Sequence, residues 1–162
     1  MLPGLLLAIL LSAPLLTAQP STPPRTPADA GKLEAQLAAN PDDLPTRGML
    51  LRFYFQAAPM PAERVKPLRR KHILWLIEHQ PDARVLSESA ATLDKSGHAL
   101  ADPEAYAEAD VLWRKLFSTG KPAADVYANA INFYKTPDPP FARKLAEEGL
   151  AAYPAKDRKS VV

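Results

Sequence analysis

The stretch Ala123–Lys156, AADVYANAINFYKTPDPPFARKLAEEGLAAYPAK, decides the fold class. Small and apolar residues recur at helical spacing on both sides of a proline-rich break. The pattern predicts one helix over Tyr127–Tyr134, a turn at Thr136–Asp138, and a second, antiparallel helix over Phe141–Ala152. In the second helix Ala142, Ala146, Leu150 and Tyr153 share a stripe, flanked by Phe141, Leu145 and Gly149, while Arg143, Lys144, Glu147 and Glu148 lie outside. Asp138 is a good N-cap, Pro139 suits a first helical position, and Pro154 ends the helix.

The same punctuation recurs upstream. Helix-like segments run into Pro41, Pro81, Pro122 and Pro154, at spacings of 40, 41 and 32 residues. A second boundary type, Asp102-Pro103 and Asp138-Pro139, recurs 36 residues apart. After Pro103, Ala105, Ala109, Leu112, Trp113 and Leu116 fall on one face. Glu104 and Glu108 come early in that segment and Arg114 and Lys115 late, as the helix dipole favours. Two boundary types in register argue for repeated helix pairs. Seven helices are expected, near 29–39, 44–57, 62–79, 83–95, 103–118, 123–135 and 139–152, with a loop inserted at Ser96–Ala101 and a lengthened turn or irregular helix start at Pro59–Pro67.

Composition agrees with an all-α chain. Its 162 residues are 47% hydrophobic and 23% charged, enough for one domain with a real core. Only 6 glycines stand against 18 prolines, which suits helices joined by rigid turns. A net charge of +2 makes no demand for a polyanionic partner. With no cysteine, disulfides, zinc–thiolate sites and thiol nucleophiles are excluded. Leu5–Leu16 is an apolar run too short to span a bilayer, followed by a cleavage pattern ending at Ala18, so residues 1–18 read as a secretory signal peptide. Only the amino terminus supplies positive charge ahead of that run. Gln19–Pro27 reads as an extended linker, 28–156 as the helical domain and 157–162 as a tail. The expected location is the periplasm or the exterior, with no transmembrane span once the signal is removed.

The last unit resembles a tetratricopeptide repeat. In a 34-residue frame from Ala123, the small residues Ala130, Ala142 and Gly149, the aromatic Phe133 and the closing Pro154 take the family's positions. Small residues there let paired helices approach, the aromatic fills the gap beside them, and proline stops the second helix. Asn129 stands where the family prefers Leu, Val126 where it prefers Trp, and Ala146 where a large aromatic is usual. Upstream units are longer, and His72–Ala83, HILWLIEHQPDA, is similar to exported bacterial proteins of this kind. The resemblance implies a right-handed superhelix of stacked helix pairs. It also implies a groove lined by the first helix of each pair, which places Tyr127, Ile131, Tyr134 and Lys135 as peptide contacts. Core packing of the same stripe is the alternative.

Few other motifs carry chemistry. His72 and His79 are seven residues apart, about 10 Å along a helix and too far to share a metal, and His98 stands alone. Ser118–Lys121 matches S-x-x-K, but Gly120 and Pro122 put it at a helix end. Glu88 lies in a Ser-Glu-Ser setting without the companion motifs of a transglycosylase. No catalytic residue, metal ligand or cofactor is therefore expected. Arg64, Lys66, Arg69, Arg70 and Lys71 are the one dense cationic run, readable as an anionic-ligand patch or as a solvated helix start. Without interleaved aromatics it does not suggest sequence-specific nucleic-acid binding. The sequence thus favours an exported scaffold for a protein or peptide, with homo-oligomerisation covering an exposed end. An envelope-associated binder of anionic headgroups is second, and a small enzyme on a helical scaffold third.

Overall fold

The computed structural model describes residues 22–56 and 60–154, so the expected signal peptide and C-terminal tail lie outside the described residues. Among the described residues six α-helices follow one another: α1 Pro27–Ala39, α2 Leu44–Gln56, α3 Ala62–His79, α4 Pro103–Ser118, α5 Ala124–Tyr134 and α6 Pro139–Ala152. The described residues contain no strand, and the chain is all-α. None of these helices is long and apolar enough to cross a membrane.

Local chemistry sets the helix ends. Thr26 and Asp29 form a reciprocal capping box at α1, Thr26 Oγ1 accepting from the Asp29 amide at 3.2 Å while Asp29 Oδ2 accepts from the Thr26 amide. Asp102 and Asp138 each accept from the amide three residues on and are followed by proline, at α4 and α6. The helix α3 begins at Ala62 and continues through Pro67, while Pro59 lies outside the described residues. At the 96–101 loop Gly97 supplies a φ of 102° that other residues rarely adopt.

The fourth expected helix is absent. Residues 83–95 instead form two single 3-10 turns, Arg84–Ser87 and Ser89–Ala91, and an extended link. Ser87 competes for nearby backbone, its Oγ donating to the Arg84 carbonyl at 2.8 Å. Side chains of neighbouring helices bind carbonyls of the strip and its flanks. Arg69 of α3 donates to the carbonyls of Thr92 at 2.7 Å, Ala90 at 3.1 Å and Leu100 at 3.5 Å. Asn129 of α5 donates to those of Pro81 at 2.9 Å and Ala83 at 3.1 Å. Arg52 of α2 grips Glu88 through two bonds of 2.6 and 2.7 Å.

Packing follows chain order: α1 on α2, α2 on α3, α3 on α4 and α5 on α6, with the 83–91 strip against α2, α3 and α5. A small core of Ala30, Leu33, Leu37, Leu50, Tyr54 and Val65 joins the first three helices. A larger one runs from Leu51 and Ile73 through the strip to Trp113, Tyr134 and Leu145. Helices α4 and α5 meet through rings, Tyr106 stacked on Phe133 at 4.8 Å and Trp113 beside it at 6.4 Å. The last pair is close where its residues are small: a Cβ on Gly149 would lie 3.2 Å from the Tyr127 ring.

Arg69→Met keeps the apolar stem and removes the donors to the strip, so unfolding in urea should show a loss of about 3–5 kcal/mol. Asn129→Leu installs the residue the resembled family prefers, yet should cost about 1–3 kcal/mol by orphaning the Pro81 carbonyl, while that of Ala83 keeps its bond from the Leu86 amide. Unchanged stability in either variant would contradict this account of the strip.

Candidate functional site

The strip is thinner than a helix, and a cleft of about 60 Å³ opens beside it. Ile73 and Ile77 of α3, Leu86 and Leu93 of the strip, Trp113 of α4 and Phe133 of α5 form its apolar walls. Asp94, Asn129, Asn132 and Lys135 bring polar groups to it, and Thr136 and Pro137 close one side from the α5–α6 turn. Asp94 Oδ2 is held by His98 Nε2 at 2.8 Å, and Lys135 donates to Asn132 Oδ1 at 2.7 Å. Trp113 is 1% exposed and its Nε1–H is buried without a hydrogen-bond partner. Nearly all buried polar groups in folded proteins are paired, so this indole is an exception, and its nitrogen is sealed from the cleft as well as from solvent.

Of the four residues expected to line a peptide groove, Lys135 alone borders this cleft. Tyr134 is fully buried, its hydroxyl donating to Asp110 Oδ1 at 2.8 Å. Burial, then the Asp110 carboxylate, push that phenol far above its ordinary range. Tyr127 is buried against Phe117 and Gly149, and Ile131 is half-buried on the main core. Both tyrosines pack the core rather than facing a partner.

The expected anionic patch is dispersed. Arg69 is buried under the strip, where burial lowers its pKa against the raising pull of Asp94 and Asp102. Arg70 bridges Asp102 at 2.7 Å, Glu104 at 3.0 Å and Glu108 at 3.5 Å, and the first two hydrogen bonds raise its pKa. Lys71 pairs with Glu34 at 3.0 Å. Arg64 is exposed and Lys66 half-buried. At Arg70 and Lys71 an anionic ligand would have to displace carboxylates already in place.

A second polar centre joins α1, α2 and α3. Glu34 Oε1 accepts from His72 Nε2 at 2.8 Å and from the Tyr54 hydroxyl at 2.9 Å. Arg47 Nη1 lies 3.2 Å from His72 Nδ1, and its Nη2 donates to the Pro41 carbonyl at 2.6 Å. A guanidinium only donates, so Nδ1 is the acceptor and Nε2 carries the proton given to Glu34. Arg47 also lies 3.5 Å over the Trp75 ring, which stacks on His79. Burial raises the Glu34 carboxyl, but His72, Lys71 and Tyr54 outweigh it and hold it down at about 2. With both nitrogens engaged and the ring wholly buried, His72 is poorly placed to exchange protons with a substrate.

Ser118 Oγ donates to the Lys115 carbonyl at 2.8 Å, at the end of α4. Among the described residues no group of three or more His, Asp or Glu is placed to hold a metal ion. No protein-family model matches the chain, and no curated protein or solved structure does. Sequence reasoning missed Trp113 and Phe133 as cleft residues because a ring on an apolar stripe reads as core. Asn129 had given a signal, as a polar residue on a stripe where an apolar one belongs.

A depressed carboxylate contributes stability above its unfolded pKa and loses it as pH falls toward the folded value. Between about pH 5 and pH 2 the Glu34 contribution, on the order of 2 kcal/mol, should therefore disappear. Glu34→Gln should be less stable than the natural chain at pH 7 and should show a flatter fall in acid. Parallel pH profiles of urea stability for the two proteins would refute that role.

Proposed function

We propose that this chain is an exported, non-catalytic scaffold that binds a protein or peptide segment, built as a tetratricopeptide-like right-handed superhelix of helix pairs. The observation that carries the reading is the cleft beside the 83–94 strip, which combines aliphatic and aromatic walls with a rim bearing both charges. Ligand sites are typically concave and mostly apolar, with a few polar groups that fix orientation. Sequential packing of neighbouring helices, and the close α5–α6 pair with small residues at its contact, support the repeat architecture. The engagement of His72 and Ser118 in internal hydrogen bonds favours binding over covalent chemistry. The apolar run at Leu5–Leu16 supports export to the periplasm or beyond.

The test is retention of partners from envelope extract on the immobilised chain from Gln19, at low and high salt. A discrete partner that survives high salt, and that is lost when the exposed rim residue Thr136 is changed to Trp, is the expected result. Retention that collapses with salt, or that ignores Thr136→Trp, would sink the cleft-based reading.

A further inference from the structure

A second concave surface runs along α2 and shares no lining residue with the cleft. We propose that it takes a short extended acidic segment of a protein partner, with carboxylate and apolar side chains in alternation. Pro45, Gly48, Met49, Arg52, Phe53 and Gln56 fall on one face of α2 at helical spacing. Two hollows, of about 410 and 260 Å³, lie over that face and share Arg52. Pro23 and Pro24 wall the first, and Ala83 and Val85 of the strip and its flank wall the second. Gly48 keeps the floor low, since a Cβ there would lie 3.4 Å from Arg52 Nη1 and 3.7 Å from Val85 Cγ2.

Charge names the occupant. Arg25 lines the first hollow, Arg84 the second and Arg52 both, against the one carboxylate of Glu88. Arg25 and Arg84 are exposed, and neither guanidinium has a hydrogen-bond or ion-pair partner among the described residues. Arg52 gives its Nε–H and one Nη2–H to Glu88, so its Nη1 donors remain for a second carboxylate without loss of the first. The groove thus sets three guanidiniums along its length between apolar walls.

Length and pattern fix the class of partner. From Pro45 to Gln56 the helix rises about 16 Å, which an extended chain covers in about five residues. A fatty acid carries one charged head and would leave two arginines unmet, and a flat membrane surface does not enter a concave groove. Side chains of an extended segment alternate in direction. Apolar ones can therefore go down onto half-buried Met49 and Phe53 while carboxylates meet the exposed arginines.

The probes are acetyl-Glu-Leu-Glu-Leu-Glu-amide and its counterpart with glutamine in place of each glutamate, titrated into the ¹⁵N-labelled chain. The acidic peptide should shift the amides of Gly48, Phe53 and Val85 saturably. It should bind about tenfold more tightly than the glutamine peptide at low salt, an advantage that fades as salt screens it. Arg25→Gln with Arg84→Gln removes two unpaired surface charges, so urea stability should hold while the acidic peptide weakens about three- to tenfold. Lys121→Gln with Arg143→Gln, both exposed and outside the groove, lowers the net charge equally and should leave binding unchanged. Thr136→Trp, at the cleft, should leave this titration as it was, so a failed groove and a failed cleft are told apart. No saturable shift, equal affinity for the two peptides, equal weakening by both double variants, or loss of binding on Thr136→Trp would overturn the proposal. Phosphatidylglycerol vesicles that bind through Arg25 and Arg84 where the peptide does not would overturn it in favour of a membrane surface.

Discussion

The fold depends on one buried guanidinium. Arg69 is 1% exposed, and its donors reach carbonyls on both sides of a segment with no helical ladder of its own. An uncompensated charge there would cost several kcal/mol, and an uncapped strip would leave buried acceptors unpaired. Each problem resolves the other: the strip supplies the lone pairs that the cation needs, and the cation supplies the donors that the strip lacks. Asp94 and Asp102 add favourable charge nearby without touching the guanidinium. Because the strip is also held by Arg52 and Asn129, it locks α2, α3 and α5 together. The cleft follows from that substitution of a thin strip for a full helix.

Arg69 belongs to a run of four consecutive polar residues whose fates diverge for a geometric reason. Successive residues on a helix point about 100° apart, so four of them sweep most of a circle. Arg69 points under the strip, Arg70 to the N-terminal turn of α4, and Lys71 and His72 to Glu34 on α1. A stretch that looks like one charged surface is in fact a hub that ties α3 to three neighbours. Arg70 near Glu104 and Glu108 also places a cation beside the acidic first turns of α4. The Glu34–His72–Arg47 chain does for the first three helices what Arg69 does for the strip, joining elements whose shared apolar core is small.

Helices were legible where local chemistry defines them. Capped starts such as Asp102-Pro103 and Asp138-Pro139, and ends before Pro41, Pro81 and Pro154, are properties of a few adjacent residues. The 83–95 segment was not legible, because Val85, Leu86, Ala90 and Leu93 are compatible with a helical stripe while the decisive hydrogen bonds come from residues 69 and 129. Tyr127, Ile131 and Tyr134 illustrate a second limit. Periodicity puts them on one face but does not say whether that face meets protein or solvent; here the tyrosines are buried. The candidate cleft was least legible, since its residues come from three helices and the strip and meet only through tertiary packing.

The departure at Asn129 and the missing helix are one feature. Pro81 and Ala83 stand where the chain leaves α3 for the strip, and Asn129 donates to both carbonyls, at 2.9 and 3.1 Å. The Ala83 carbonyl also accepts from the Leu86 amide in the first 3-10 turn, so it is the Pro81 carbonyl that an apolar residue at 129 would strand. Asn129 and the strip therefore stabilise each other. The same logic explains why the α5–α6 pair keeps its small residues. Ala130, Ala142 and Gly149 serve packing within and around the last pair, while residue 129 answers to the strip.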